Sequence, residues 1–261
     1  MRVSKNKIIV LILSTNNSLY DNFIKSIRGG WVNELNKHGI EYFFYSGGHS
    51  ISQVIGDEIH LTAPDDLKHT SLKFIKCLEL LLAYRSDVEL IYRTNLSSFI
   101  DVKNFIKFIS INNLNTGTYT GRIGKTNYLK EHAYASKFLL KFFSVIHFGN
   151  NIVFASGSGF FIGRDFFTEL LNAKKRNLWY VDDVMVALTL KVMPDANVSP
   201  LRFDIDDNSN HKVSIEKYTF LIAEKLLFHY RFKTSNRSKD AKMLGSFSNE
   251  NYRKSICVKN I

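Results

Sequence analysis

Two adjacent carboxylates, Asp182 and Asp183, stand in the stretch "WYVDDVMVAL", between aromatic and apolar residues. At a helix N-terminus such a pair gains from unpaired backbone N–H groups and from the helix dipole, which is reason enough for aspartates to be there. The chemical alternative is a general base: an aspartate in a cleft takes the proton of a sugar hydroxyl as that oxygen attacks carbon. Neighbouring residues on a helix project about 100° apart, so one of the two reaches a substrate and the other orients or tunes it. Trp179 and Tyr180 suit a sugar cleft, because pyranose rings carry apolar C–H faces that pack on aromatic rings; they suit a core equally well.

Three further stretches carry polar groups at chemically useful places. In "FASGSGFFIGRD" the residues Ser156, Gly157, Ser158 and Gly159 interrupt an apolar run. A tight turn explains the glycines; so does a backbone that must come close to a ligand, where a Cβ would intrude. "LIYRTNLSSF" reads as a strand that delivers Arg93, Thr94 and Asn95 to the rim of a sheet, as a turn or as an anion contact. "FHYRFKT" places His229, Arg231 and Lys233 near the end of an expected helix, where they complement its dipole or fold over a diphosphate. No HxxxH pair occurs, which speaks against a dedicated zinc site.

The elements that must position these groups alternate. Apolar runs at 7–15, 40–48, 57–61, 88–94 and about 159–163 read as strands. Helical patterns are expected at 19–39, 65–86, 99–111, 134–146, 181–193 and 215–233, with Leu72, Ile75, Leu78 and Leu82 at helical spacing in the second. Alternation of this kind predicts an α/β fold, a single domain with a central, largely parallel sheet flanked by helices. In such sheets ligands bind beyond the carboxyl ends of the strands, so the loops after residues 13, 46, 93 and around 155 are the ones to watch.

Bulk properties narrow the choices. The 261 residues are 45% hydrophobic and 13% aromatic, enough for one sizeable core. The formal charge is +11, and residues 212–261 hold eleven Lys or Arg against four Asp or Glu. That balance suggests anionic partners or a solvated tail. Cys77, on an apolar helical face, and Cys257 are the two cysteines, so there is no disulfide framework and no cysteine-based zinc spacing, and a reducing compartment fits. The N-terminal run Ile8–Leu13 is too short for a signal peptide and reads as a buried strand; no stretch has the roughly 18 apolar residues of a membrane span.

Taken in order, these blocks resemble the β1,3-galactosyltransferase and Fringe-like group of glycosyltransferases, which have the GT-A fold. "SIRGGWVNELNKHGIEYFFYSGG" is similar to that group's Ile-Arg-x-x-Trp helix and Phe-rich strand, and "FASGSGFFIGRD" to its Ser-Gly-x-Gly-Tyr block. "VDDVMVAL" is similar to its Glu-Asp-Val-x-x-Gly block with Ala187 in place of glycine, and "DEIHLTAPDDLKHTSLKFIKCLE" to its Asp-x-x-x-Leu-Thr segment. The blocks span roughly residues 8–233. One departure matters: where the family carries an Asp-x-Asp metal motif, this chain has Arg93-Thr94-Asn95. An arginine does not ligate a divalent ion but does neutralise phosphate directly.

The resemblance implies an inverting transferase that moves a sugar from a nucleotide-sugar, expected to be a UDP-sugar, to a glycan hydroxyl in surface polysaccharide synthesis. Asp183 is then the base and Asp182 its neighbour. Ser14, Thr15 and Arg28 lie near the nucleotide, and Arg93, Thr94, Asn95, His229, Arg231 and Lys233 face the diphosphate. Ser156, Gly157, Ser158, Gly159, Trp179 and Tyr180 contact the sugar or the acceptor. No cofactor is expected, the alternative being a weak Mn or Mg site on Asn95 and His229. Residues 1–234 form the GT-A-like domain and 235–261 a basic C-terminal extension. Acceptors are a glycan or a lipid-linked glycan. The protein is expected in the cytoplasm, with the basic C-terminus touching anionic membrane at its inner face. A non-catalytic sugar- or nucleotide-binding protein on the same fold is the runner-up. Nucleic-acid binding, which the charge alone would suggest, lacks a recognised module.

Overall fold

A computed structural model describes residues 4–127, 151–207 and 212–258. The helix expected at 134–146 lies outside the described residues. Elements below are numbered among the described residues.

The centre of the molecule is a seven-stranded sheet in the order β3-β4-β2-β1-β5-β8-β7. Its four middle strands are β1 (Ile8–Leu13), β2 (Glu41–Ser46), β4 (Glu58–His60) and β5 (Leu90–Asn95). These run parallel, with Leu11 paired to Phe43 and to Arg93. The flanking strands β3 (Gln53–Ile55), β7 (Tyr119–Asn127) and β8 (Asn151–Gly163) are antiparallel to their neighbours. Parallel strands covered on both faces must be apolar throughout. Ile8, Ile9, Val10, Leu11 and Ile12 meet that demand and are all buried.

Helices cover the two faces. On one side α3 (Thr70–Tyr84), α5 (Phe167–Leu171) and α6 (Asp182–Leu190) close a core containing Phe74, Cys77, Leu78, Phe160, Met185 and Val186. The buried stripe of α3 is Phe74, Cys77, Leu78 and Leu81, so the face expected to turn inward is rotated: Leu72, Ile75 and Leu82 are only partly covered. On the other side lie α1 (Asp21–Arg28), α2 (Trp31–Lys37), α4 (Val102–Ile111) and α7 (Ile215–Ala223). The single helix expected at 19–39 is two, broken at Gly29-Gly30. A Cβ on Gly30 would sit 2.7 Å from the Ser26 carbonyl oxygen.

A second sheet of three strands, β6-β10-β9, leans on this side: β6 (Ser98–Ile100), β9 (Arg202–Ile205) and β10 (His229–Phe232). It corrects the helix expected to run from 215 to 233. α7 ends at Ala223, Leu226 takes a left-handed φ of 49°, and "HYRF" is extended. Period-two alternation explains the strand. Phe203 pairs with Tyr230, Ile205 with Phe232 and Phe99 with Tyr230, all buried, while Arg202, Asp204, His229, Arg231 and Ser98 share the opposite face.

The C-terminal segment is no detached extension. It forms α8 (Arg237–Ser246) and α9 (Glu250–Cys257), and Ala241, Leu244, Phe247 and Cys257 belong to the same core as Phe23 and Tyr230. Several of its cations hold internal counterions: Arg237 with Asp240, Arg253 with Asp101, Lys254 with Glu250. This pairing leaves less of a basic arm than the composition suggested. Among the described residues, no helix is long and apolar enough to cross a membrane.

Candidate functional site

The site is built where β5 and β8 part. Thr94 still pairs with Gly159, and Arg93 with Phe160. Beyond that point β8 leaves the ladder. Gly121 of β7 pairs with Phe160 and Ile123 with Ala155, so the four residues Ser156–Gly159 stand opposite Arg122 alone. A bulge of this kind re-aims a strand at the edge of a sheet. It is pinned from both sides. The carbonyl of Ser158 accepts from the Thr94 hydroxyl at 2.7 Å and from the Ser98 hydroxyl at 3.4 Å, and the amide of Gly157 donates to Asp183 at 2.6 Å.

Both glycines have local reasons. A Cβ on Gly157 would stand 3.0 Å from Asp183 Oδ2 and 3.3 Å from Arg93 Nη1. One on Gly159 would collide with the Tyr92 hydroxyl and stand 2.6 Å from His229 Nδ1. The close approach expected at these glycines is therefore made by the protein's own side chains.

Asp182 and Asp183 open α6, after Val181 at its N-cap, and they part as helix geometry demands. Asp182 is buried and ion-paired with Arg93, which is 2% exposed and also donates from Nε to the Tyr45 hydroxyl at 3.1 Å. Asp183 is half-buried; its Oδ1 accepts from the amide of Val184 at 2.9 Å. Burial, then the neighbouring Asp182 charge, push the Asp183 carboxyl up to about 6, against the opposing pull of the Gly157 amide and Arg93. The pair thus divides into a buried counterion and a carboxylate poised to change state near neutrality.

Several expected donor contacts are placed differently. Arg93 comes beside Asp183, but its charge is matched by Asp182. His229 is a core histidine: Nδ1 meets the Tyr92 hydroxyl at 3.0 Å, Nε2 meets the Ser98 hydroxyl at 2.9 Å, and burial holds it well below the ordinary histidine range. Asn95 Oδ1 accepts from the Ser97 amide and from both the Ser97 and Ser98 hydroxyls. Asn95 and His229 therefore do not fit a weak Mn or Mg site, and among the described residues no group of three His, Cys, Asp or Glu could hold a metal ion. Thr94 is fully buried and serves the bulge. Arg28 lies at the end of α1, bound to Asp57 and Glu58 at the amino end of β4, away from Asp183. Lys233 is exposed and reaches Asp204 at 3.4 Å and Asp206 at 3.6 Å.

At the carboxyl ends of β1 and β2, Ser14 is buried and Thr15 donates to Asp65 at 2.6 Å. Asp65 also accepts from the amides of Asn16 and Gly47 and from Lys73, a buried lysine on α3. One carboxylate thereby ties both loops to the helix. Trp179 stands 75% exposed at the approach to α6, and the Tyr180 carbonyl accepts from Ser71. The residues that the motifs missed are Tyr45, Asp65, Lys73, Arg122, Arg202 and Asp204. Arg202 donates to the hydroxyls of Ser156 (3.1 Å) and Ser158 and to Asp204. The alternating "RFDI" of β9 was the available signal for two of them.

No family model and no curated protein matches the chain. Among solved structures, a glycosyltransferase involved in the glycosylation of the major capsid of PBCV-1 superposes with a TM-score of 0.48 at 11% identity, over 91% of this chain and 98% of that one. A likeness at that level says nothing about the reaction.

Proposed function

We propose that the protein is a GT-A-like glycosyltransferase that moves a sugar from a nucleotide-sugar to a glycan hydroxyl with inversion, and that Asp183 is its base. One observation carries the reading. A half-buried carboxylate at the start of α6, held up near 6, accepts from the bulge at the carboxyl ends of parallel strands, with a buried cation nearby. A base poised close to the working pH is what proton removal from an attacking hydroxyl needs.

The Ser14–Thr15 and Asn95 loops would receive the nucleotide, a UDP-sugar on the family resemblance. Trp179 and Tyr180 would offer ring faces to the acceptor, in the synthesis of a surface polysaccharide. With Arg93 matched by Asp182 and His229 neutral, Arg231 and Lys233 are the expected donor-side cations left to offset charge on the departing diphosphate, a task otherwise given to a metal.

A second reading, a sugar- or nucleotide-binding protein without catalysis, is favoured by one detail: both oxygens of Asp183 already accept backbone N–H groups. Nucleotide release from a panel of nucleotide-sugars, with and without glycan acceptors and with and without manganese, separates the two. Acceptor-dependent release supports transfer. Stabilisation by a nucleotide-sugar with no release at any pH supports the binding protein.

A further inference from the structure

The polar face of the small sheet carries more positive charge than its own carboxylates match. Arg202 and Asp204 on β9 pair in register with His229 and Arg231 on β10, so alternation puts all four on one face. Asp204 accepts from Arg122 at 2.8 Å and from Arg202, and Lys233 approaches it at 3.4 Å. Three cations on one carboxylate hold Asp204 far below the ordinary carboxylate range, although burial acts the other way. Asp206, 3.6 Å from Lys233, is the second acid of the group. Arg231 is the fourth cation, and among the described residues it has no ion pair. Its Nε is buried without a hydrogen-bond partner among them, and the charges acting on it include Arg202, Arg237 and Arg93 as well as Asp204.

A guanidinium keeps its charge under all ordinary conditions, so a half-buried arginine among other arginines is costly unless an anion joins it. Arg93 shows how this fold treats an enclosed arginine: it supplies Asp182. For Arg231 the described residues supply no such partner. We propose that Arg231, with Arg202, Arg122 and Lys233 around it, is an oxyanion-binding site for a phosphate or carboxylate group of a substrate. Planar guanidinium groups suit both, because each presents paired donors to paired oxygens.

The site adjoins the proposed catalytic centre through the bulge, since Arg202 holds the hydroxyls of Ser156 and Ser158 while Asp183 holds the amide of Gly157 between them. Two sources fit that position: the diphosphate of a nucleotide-sugar, and an acidic sugar of the acceptor. The assignment to a substrate rests on the glycosyl-transfer reading; the existence of the oxyanion site does not.

Calorimetric titration of the whole protein with inorganic pyrophosphate, methyl β-glucuronide and the neutral methyl β-glucoside tests it without turnover. The expected result is binding of at least one anion and not of the glucoside, weakened about tenfold or more by R231Q, less by R231K, and severalfold by R122Q at the exposed rim. Pyrophosphate alone assigns the site to the donor, glucuronide to the acceptor. Binding of neither anion, or affinities that R231Q and R122Q both leave unchanged, overturns the proposal. Anion binding with no nucleotide release from any donor would instead count against the transferase.

Discussion

Arg93 on β5 and Arg231 on β10 belong to two different sheets, and they are provisioned differently. Arg93 is fully enclosed and has a one-to-one counterion in Asp182, with the Tyr45 hydroxyl on its Nε. Arg231 is half-buried and, among the described residues, has a bare Nε and stands among cations that outnumber the acids near it. An enclosed charge that is matched internally belongs to the architecture; one left unmatched points to a partner from outside. The distinction is invisible in the motifs, where each arginine simply follows a tyrosine, Tyr92 and Tyr230.

The largest expected effect follows from removing Arg93. R93M leaves Asp182 buried without its cation, which typically costs about 3–5 kcal/mol and, for a chain of this size, on the order of 10 °C in melting temperature. A melting temperature within a degree or two of wild type would show that the pair is not structural. Next comes G159A, whose Cβ meets Tyr92 and His229; overpacking of this kind costs roughly 1–3 kcal/mol, measurable by denaturant unfolding. G157A meets Asp183 and Arg93 less tightly, so it should lower activity more than stability.

A smaller effect concerns pH. The folded chain holds the Asp183 proton more tightly than the unfolded chain, because its carboxyl is raised to about 6. Stability therefore falls as pH rises from about 4 to 6, and D183N should flatten that slope. The smallest effect is R231Q, for which the melting temperature should hold or rise slightly, since it removes a charge that has no ion pair among the described residues. A large loss of stability in R231Q would erase the contrast with Arg93.

Much of the fold was legible because burial writes itself as pattern. Continuous apolar runs gave β1, β2 and β5, and Gly39, at φ 70°, ends α2 as a helix-stop glycine should. The failures have physical causes too. "LLFHYRF" alternates, but it directly follows a helix, and the left-handed Leu226 that separates them leaves no mark in residue type. The two aspartates were readable as a helix start. That one would be buried against Arg93 and the other left half-open depends on Tyr45 and the bulge, which come together only across the sheet. Of two adjacent aspartates, Asp66 caps the turn before α3, while Asp65 binds Thr15, Asn16, Gly47 and Lys73.

The most direct test of the account is the rate of acceptor-dependent nucleotide release as a function of pH, for the wild-type protein and for D183N. The account predicts a wild-type rate that falls as pH drops through about 6, and a loss of about a hundredfold or more in D183N with donor affinity nearly unchanged. A D183N protein that keeps wild-type turnover, or a wild-type rate that is flat from pH 5 to 8, would contradict it.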